Sequence, residues 1–338
     1  MMCIVPPHLL REIISRGDPE SKKWAIDTLS ISEQVRTQRQ SLYDMELPRS
    51  LQKERYIYDA KNKSDLPGML VRTEGSSPTG DSAADEAYDG AGWTYDLYKN
   101  IYGRNSIDDK GLRLDSTIHY SKNYDNAFWN GAQMVYGDGD GKIFNRFTIA
   151  VDVIGHELTH GVTQYTAKLE YQDQSGALNE HISDVFGSIT KQYSLKQTAK
   201  DADWLIGQGL FTPKIKGVAL RSMKAPGTAY DDPLIGKDPQ PETMDDYKDT
   251  SEDNGGVHIN SGIPNHAFYL IATTIGGYSW DKAGNIWYKT LSMLDKNANF
   301  EDMATITLDA ATNIFGKNGP EQMAVQNGWN GVGISVKR

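Results

Sequence analysis

The sequence predicts an α+β fold in three parts: a short N-terminal segment, a β-rich first half and a helical second half. Three observations carry this expectation. From Tyr56 to Ile149, short apolar runs alternate with turn signals such as Pro67-Gly68 and the glycine-rich stretch Tyr136-Gly137-Asp138-Gly139-Asp140-Gly141. An apolar run from Ile149 to Tyr165, too long for a strand, opens a second half that is mostly helical. The first fifty or so residues stand apart in charge: they hold seven basic and seven acidic residues, so the whole net charge of −10 lies in the rest of the chain. The boundaries expected are 1–50, 51–165 and 166–338.

In chain order, Asp18-Pro19-Glu20 is a helix start, with a side-chain cap, proline at the first position and an acid in the first turn. Trp24, Leu29, Ile31 and Val35 then give a partly apolar face suited to docking on a larger body. After the Pro67-Gly68 turn, Met69-Leu70-Val71 reads as a strand. A polar loop, 74–81, leads into a helix over 82–102, whose Trp93, Tyr95, Tyr98 and Tyr102 read as core. Ile118-His119-Tyr120 and Asn126-Ala127-Phe128-Trp129-Asn130 read as strands. The acidic Tyr136–Gly141 stretch lacks the twelve-residue calcium-loop pattern with its terminal glutamate, and is read as a loop. Within the helical half, 211–257 is irregular, with Pro226, Gly227 and Asp231-Asp232-Pro233 as expected of surface connections.

Composition bounds the function. At 338 residues the chain is long enough for two or three domains. A pI of about 5.2 argues against nucleic acid as a main partner. No apolar run approaches the roughly 20 residues that span a membrane. The one cysteine, Cys3, permits no intrachain disulfide. The first residues carry Pro6-Pro7 and His8 and then Arg11-Glu12, not the continuous apolar core of a secretory signal. Synthesis in the cytoplasm is therefore the expectation, with export by a non-classical route as the alternative.

The chemistry centres on His156-Glu157-Leu158-Thr159-His160. Residues four apart on a helix share a face, so both imidazoles can reach one metal ion, and Glu157 lies beside it where it could hold a water. Twenty residues after His160 comes Glu180, a gap that lets one helix end and a second bring back a carboxylate. Two histidines and a glutamate make an open catalytic zinc site, the fourth position left to water. Asp184, four residues beyond Glu180, is placed to accept the spare N–H of a ligating histidine.

His156–His160 followed by Gly176-Ala177-Leu178-Asn179-Glu180-His181-Ile182-Ser183-Asp184 resembles the gluzincin metallopeptidases, specifically the thermolysin-like family. The resemblance covers nearly everything from about Tyr56 onward. It implies two catalytic halves with the active-site cleft between them and one catalytic Zn2+. By the same resemblance His258, in Asp253-Asn254-Gly255-Gly256-Val257-His258, is the transition-state histidine. Asp253 orients it, and Tyr171 is the second oxyanion donor. Asn126 and Ala127 lie on the substrate-binding edge strand and Arg221 holds a substrate carbonyl through a forked pair of donors. Phe144, Phe147, Val153 and Leu220 line the pocket for the residue after the scissile bond. All four are apolar, which implies cleavage before large hydrophobic residues such as Leu or Phe. Phe147 is bulkier than the family's usual aliphatic residue, which makes the pocket shallower.

The stretch Pro6-Pro7-His8-Leu9-Leu10 resembles the opening of the short propeptides of protealysin-like enzymes. It implies that residues 1–50 are an intramolecular inhibitor, removed between Asp44 and Arg55. Whether Cys3 or His8 contacts the zinc in the precursor is left open: the sequence shows only that such side chains are present. The family commonly holds a calcium pair near the active-site helices. Asp152 and Asp203 keep two of its acidic positions, while Lys191, Leu205 and Gln208 replace three others, so that two-ion site is expected to be absent. A monomer acting on protein or peptide substrates is the expectation. A non-catalytic zinc-binding protein is the competing class, and the intact Glu157, Tyr171 and His258 argue against it. An exopeptidase is a third, though nothing resembles a pocket for a free terminus.

Overall fold

The computed structural model describes residues 3–42 and 46–336. The N-terminal segment is two helices, α1 (Pro7–Arg16) and α2 (Pro19–Leu42). Proline at the first helical position starts both, since its missing N–H would have no partner there. Asp18 Oδ1 accepts from Glu20 N at 3.0 Å and Ser21 N at 2.8 Å, so this cap acts where the sequence placed it. The sequence reading left 6–10 as a motif without structure; it is the start of α1.

The first catalytic half follows with β1 (Arg55–Asp59), β2 (Met69–Arg72), α3 (Ser82–Tyr102), β3 (Leu114–Ile118), β4 (Ala127–Trp129) and β5 (Met134–Tyr136). These strands form one mixed sheet in the order β2-β1-β3-β5-β4. β1, β3 and β5 run parallel, while β2 and β4 are antiparallel at the two edges. α3 is capped by Asp81, whose side chain accepts from Ala83 N at 2.9 Å. Tyr95 and Tyr98 are buried as expected, but Trp93 is 40% exposed and packs edge-on against Tyr193. The expected strand over 118–120 also shifts: β3 ends at Ile118, and His119 turns away at φ +52°.

α4 (Val151–Gln164) then leads through a short loop to α5 (Asp173–Leu195). The remainder is helical around a loop-rich middle, which holds the two-residue strands β6 (Leu205–Ile206), β7 (Arg221–Ser222), β8 (Asp231–Asp232) and β9 (Gly236–Lys237). It closes with α6 (Asp253–Asn260), α7 (Gly262–Ile275), α8 (Lys282–Leu291), α9 (Phe300–Phe315) and α10 (Pro320–Gly331). α4 is buried along nearly its whole length between α3 and β4 on one side and α5 on the other. That burial explains its apolar run: every face of the helix meets protein. Among the described residues no helix is long and apolar enough to cross a membrane.

An edge strand normally leaves unpaired backbone groups in water. Here Ala127, Phe128 and Trp129 of β4 are all buried, because residues 3–5 lie along them: Cys3 forms an antiparallel bridge with Phe128, and Ile4 N donates to Ala127 O at 3.3 Å. α1 and α2 anchor this strand-like entry. Leu9, Leu10 and Ile13 are buried, Thr28 Oγ1 accepts from Asp125 N at 3.2 Å, and Lys142 Nζ reaches Glu20 at 2.7 Å and Asp18 at 3.2 Å. The window 44–55 begins in residues outside the described ones. From Glu46 it runs along the surface, with Leu51 91% exposed.

Candidate active site

His156 and His160 sit one turn apart on α4 with ring centroids 4.6 Å apart. A third donor must come from another element, and the α4–α5 packing supplies it. The two helices cross where neither can carry a side chain: a Cβ at Gly187 would lie 2.4 Å from Asp152 O, and one at Gly155 would lie 2.8 Å from Thr190 Oγ1. This close approach brings Glu180 over the imidazoles. Its Oε2 lies 3.5 Å from His156 Nε2 and its Oε1 lies 3.5 Å from His160 Nε2, with all three side chains fully buried. The three donor atoms fall within 4.8 Å of one another.

The surroundings fix which nitrogen of each ring faces the cluster. His156 Nδ1 lies 2.8 Å from Asp184 Oδ1. Burial works to raise the Asp184 pKa, but Arg221 and His156 outweigh it and hold the carboxyl well below the usual range. An ionised carboxylate only accepts, so His156 carries its proton on Nδ1 and turns a lone pair on Nε2 inward. His160 Nδ1 lies 2.9 Å from Asn179 Oδ1 and 2.9 Å from Ser183 Oγ. Asn179 Nδ2 donates to Leu169 O at 3.2 Å, which orients the amide oxygen towards His160. His156 Nε2 and Glu180 Oε2 have no hydrogen-bond partner among the described residues. Buried acceptors gathered around one point are costly unless a cation joins them, and this donor set suits zinc.

Glu157 is fully buried, and its Oε2 accepts from Trp129 N of β4 at 3.0 Å. On the other side, the first four residues of α6 depart from helical geometry. Asp253, Asn254, Gly255 and Gly256 all have φ between +51° and +82°, and a Cβ at Gly255 would strike Asp173 Oδ1 at 2.0 Å. Backbone held this way is costly and concentrates at functional sites. The turn places Asp253 beneath His258, with Oδ2 accepting from His258 N at 2.9 Å and Oδ1 lying 2.8 Å from Nδ1. Burial opposes the charged ring, but Asp253 and Glu180 outweigh it and raise the His258 pKa. Tyr171 donates to Glu180 Oε1 and lies 3.3 Å from His258 Nε2. Burial and the Glu180 and Asp253 charges push its phenol well above the ordinary value, so it stays protonated.

Arg221 is buried, and its fork is directed at Asp184, with Nε to Oδ2 at 2.9 Å and Nη2 to Oδ1 at 2.8 Å. The two-pronged hold on a peptide carbonyl expected from the sequence is therefore not what is seen; only Nη1 remains for one, and it donates to Ile4 O at 3.1 Å. Asn126 Oδ1 accepts from Val5 N at 3.0 Å. Phe144, Phe147, Val153 and Leu220 are buried in the same apolar cluster as Ile4, and Phe144 stacks obliquely on both Phe147 and Phe211 at 5.6 Å.

The question left open by the sequence is answered by the geometry: neither Cys3 nor His8 joins the metal-ligand set. The Cys3 thiol turns to the cluster of Tyr120, Tyr124, Phe128 and Val135, where burial and then Glu157 raise its pKa. Its carbonyl oxygen, not its sulfur, meets the site, 3.1 Å from His258 Nε2. His8 Nε2 lies 3.1 Å from the Tyr230 hydroxyl, and burial lowers its pKa to about 4.

The sequence reading missed Asn179, Ser183, the Trp129 amide and Asn265, whose Nδ2 donates to Asp184 Oδ2 at 2.8 Å. Asn179 and Ser183 had a signal, since they flank Glu180 by one and three positions on one helix. Where the family commonly holds its calcium pair, Lys191 Nζ lies 2.7 Å from Asp203 Oδ2 and 3.4 Å from Asp152 Oδ2.

Comparisons with known proteins bear on the same regions. Residues 23–164 match the family model described as thermolysin metallopeptidase, catalytic domain, and residues 167–334 that of its alpha-helical domain. An extracellular metalloprotease of Pectobacterium carotovorum subsp. carotovorum is 52% identical over 343 residues, covering 99% of this chain and 97% of that protein. A thermolysin of Alicyclobacillus acidocaldarius is 42% identical over 293 residues, 82% of this chain and 50% of that one. The solved precursor of protealysin from Serratia proteamaculans superposes with a TM-score of 0.91 at 52% identity, covering 99% of this chain and all of that one.

Proposed function

The chain belongs to the thermolysin family of zinc metallopeptidases and is a neutral zinc metalloendopeptidase, and on that premise we propose how it selects and cuts its substrates and how it is kept inactive. His156, His160 and Glu180 would hold the zinc, which when bound would supply Lewis acidity and bring the pKa of a water to near 7. Glu157, steadied by the Trp129 amide, accepts the proton of the attacking water and passes it to the leaving amine. His258 and Tyr171 donate to the oxyanion that develops on the scissile carbonyl, with Asp253 keeping the imidazole aimed. Asn126 and Ala127 pair with the substrate backbone as an added strand, and Arg221 Nη1 holds the carbonyl of the residue after the cut. Asp184 links the two tasks, because it orients His156 and anchors Arg221.

The substrates are peptides with a large hydrophobic residue after the scissile bond, received by Phe144, Phe147, Val153 and Leu220. The chain is made as a precursor whose N-terminal segment occupies the cleft through residues 3–5, and removal of residues 1–50 activates it. The observation that carries this reading is that residues 3–5 engage Asn126, Ala127, Arg221 and His258 all at once. A series of blocked internal peptides tests the specificity. Replacing Leu by Gly after the scissile bond should lower kcat/KM by roughly 10–100-fold, the worth of burying that side chain. Equal rates across the series would refute the assigned pocket.

A further inference from the structure

The entering segment lies in the cleft in the direction and register of a substrate. Its backbone contacts fall in order: Cys3 O at His258 Nε2, Ile4 N at Ala127 O, Ile4 O at Arg221 Nη1, Val5 N at Asn126 Oδ1 and Val5 O at Asn126 Nδ2. A segment laid in the opposite direction, or one that blocked the cleft with a side chain, would put no carbonyl at the oxyanion donors with the next amide on Ala127. Ile4 is fully buried, as part of the main hydrophobic core of the molecule. The bond between the Cys3 carbonyl carbon and Ile4 N therefore occupies the place of the bond to be cut.

We propose that the Cys3–Ile4 peptide bond is itself a substrate, hydrolysed within the precursor by its own active site. The inference rests on the endopeptidase reading above. Water oxygen adds to the Cys3 carbonyl carbon while Glu157 takes a water proton. The C–N bond then breaks, its electron pair stays on Ile4 N, and Glu157 returns the proton to that nitrogen; the second water proton, left on the new carboxyl group, passes to the same amine as the acid ionises, so Ile4 carries an ammonium. The products are a Met1-Met2-Cys3 carboxylate and a chain that begins at Ile4, with water the only co-reactant.

This trimming does not release the inhibitor. The helices behind it stay anchored through Leu9, Leu10, Ile13 and Thr28 and the Lys142 pairs, and Ile4 and Val5 keep their partners on Ala127, Arg221 and Asn126. The trimmed segment remains in the cleft as a bound product, so N-terminal clipping and activation are separate events.

Intact-mass spectrometry of the zinc-loaded full-length precursor tests this, at several protein concentrations and beside a Glu157→Gln precursor of equal zinc content. The expected result is first-order loss of residues 1–3 at a rate independent of concentration, at least about 100-fold slower in the variant. Ile4→Asp is a second variant: a carboxylate in that apolar site should slow clipping at least tenfold while the thermal midpoint of the catalytic body is kept. Clipping whose rate rises with concentration would overturn the intramolecular step. A precursor that stays intact while the mature form hydrolyses a blocked peptide overturns the inference and leaves the endopeptidase reading standing. If neither the precursor nor the peptide is cut, that reading fails too.

Discussion

His258 is held at both of its nitrogens, by Asp253 on one side and by Tyr171 and the Cys3 carbonyl on the other. His258→Ala should lower kcat by roughly 10²–10³-fold with zinc retained, the usual effect of removing one oxyanion donor; a change confined to KM would assign the ring to substrate binding instead. His119 shows a different use of the same side chain. Asp138 raises its pKa most, burial opposes, and Asp81 adds to the rise, which brings it to about 9 from an ordinary 6.5. A histidine with a raised folded value gives stability that is complete below about 6.5 and is lost as pH climbs through about 9. His119→Gln should therefore lower the thermal midpoint near pH 6 and leave it close to wild type near pH 10, as calorimetry at the two pH values would show. The residues legible in sequence were those whose role follows from spacing on one helix: His156, His160, Glu180 and Asp184. The Trp129 amide that holds Glu157 has no signature, because any residue there supplies an N–H. Nor did the Arg221 fork, since which acid it meets is set by tertiary packing.

At the scale of elements, α4 and α5 decide the site. Their crossing depends on Gly155 and Gly187, which the sequence displays but whose purpose appears only when the helices are seen to touch. The helix over 82–102 was read to the residue because cap, apolar spacing and end signals all agree. The strand over 118–120 was misread because its alternating pattern ignores what His119 gains by turning outward between Asp81 and Asp138. α1 was not read because residues 6–10 read only as a motif, although proline at a first helical position is favourable. On α5, Lys191 sits with its ammonium between Asp152 and Asp203, where a family calcium pair would have its carboxylates. We propose that this cation replaces the metal charge. Chelating calcium at constant zinc should leave the thermal midpoint unchanged, and a drop of several degrees would contradict the proposal. Lys191→Ala should cost about 1–3 kcal/mol by leaving the buried Asp152 with backbone donors but without its cationic partner, a loss that denaturant titration would read.

The molecule as a whole is a catalytic body with its own N-terminus drawn through the cleft. The two catalytic halves were legible from pattern and motif. Charge set residues 1–50 apart as an expectation, and the described part of that segment holds the helices α1 and α2. Which atoms of the segment meet the site was not legible: the sequence left open whether the Cys3 sulfur or the His8 ring touches the metal, whereas the contacts are made by backbone atoms of residues 3–5, which carry no signature in sequence. An exposed stretch around Leu51, between α2 and β1, offers a protease a cut that leaves the body intact.

The most direct measurement is hydrolysis of a blocked internal peptide with Leu after the scissile bond, by the purified chain and a Glu157→Ala control. Mass spectrometry would follow residues 1–50 in the same samples. The account predicts activity that rises as the whole segment is lost, with the control slower by roughly 10²–10⁴-fold at equal zinc content. Complete loss of the segment with no peptide hydrolysis, or equal activity in the control, would contradict it.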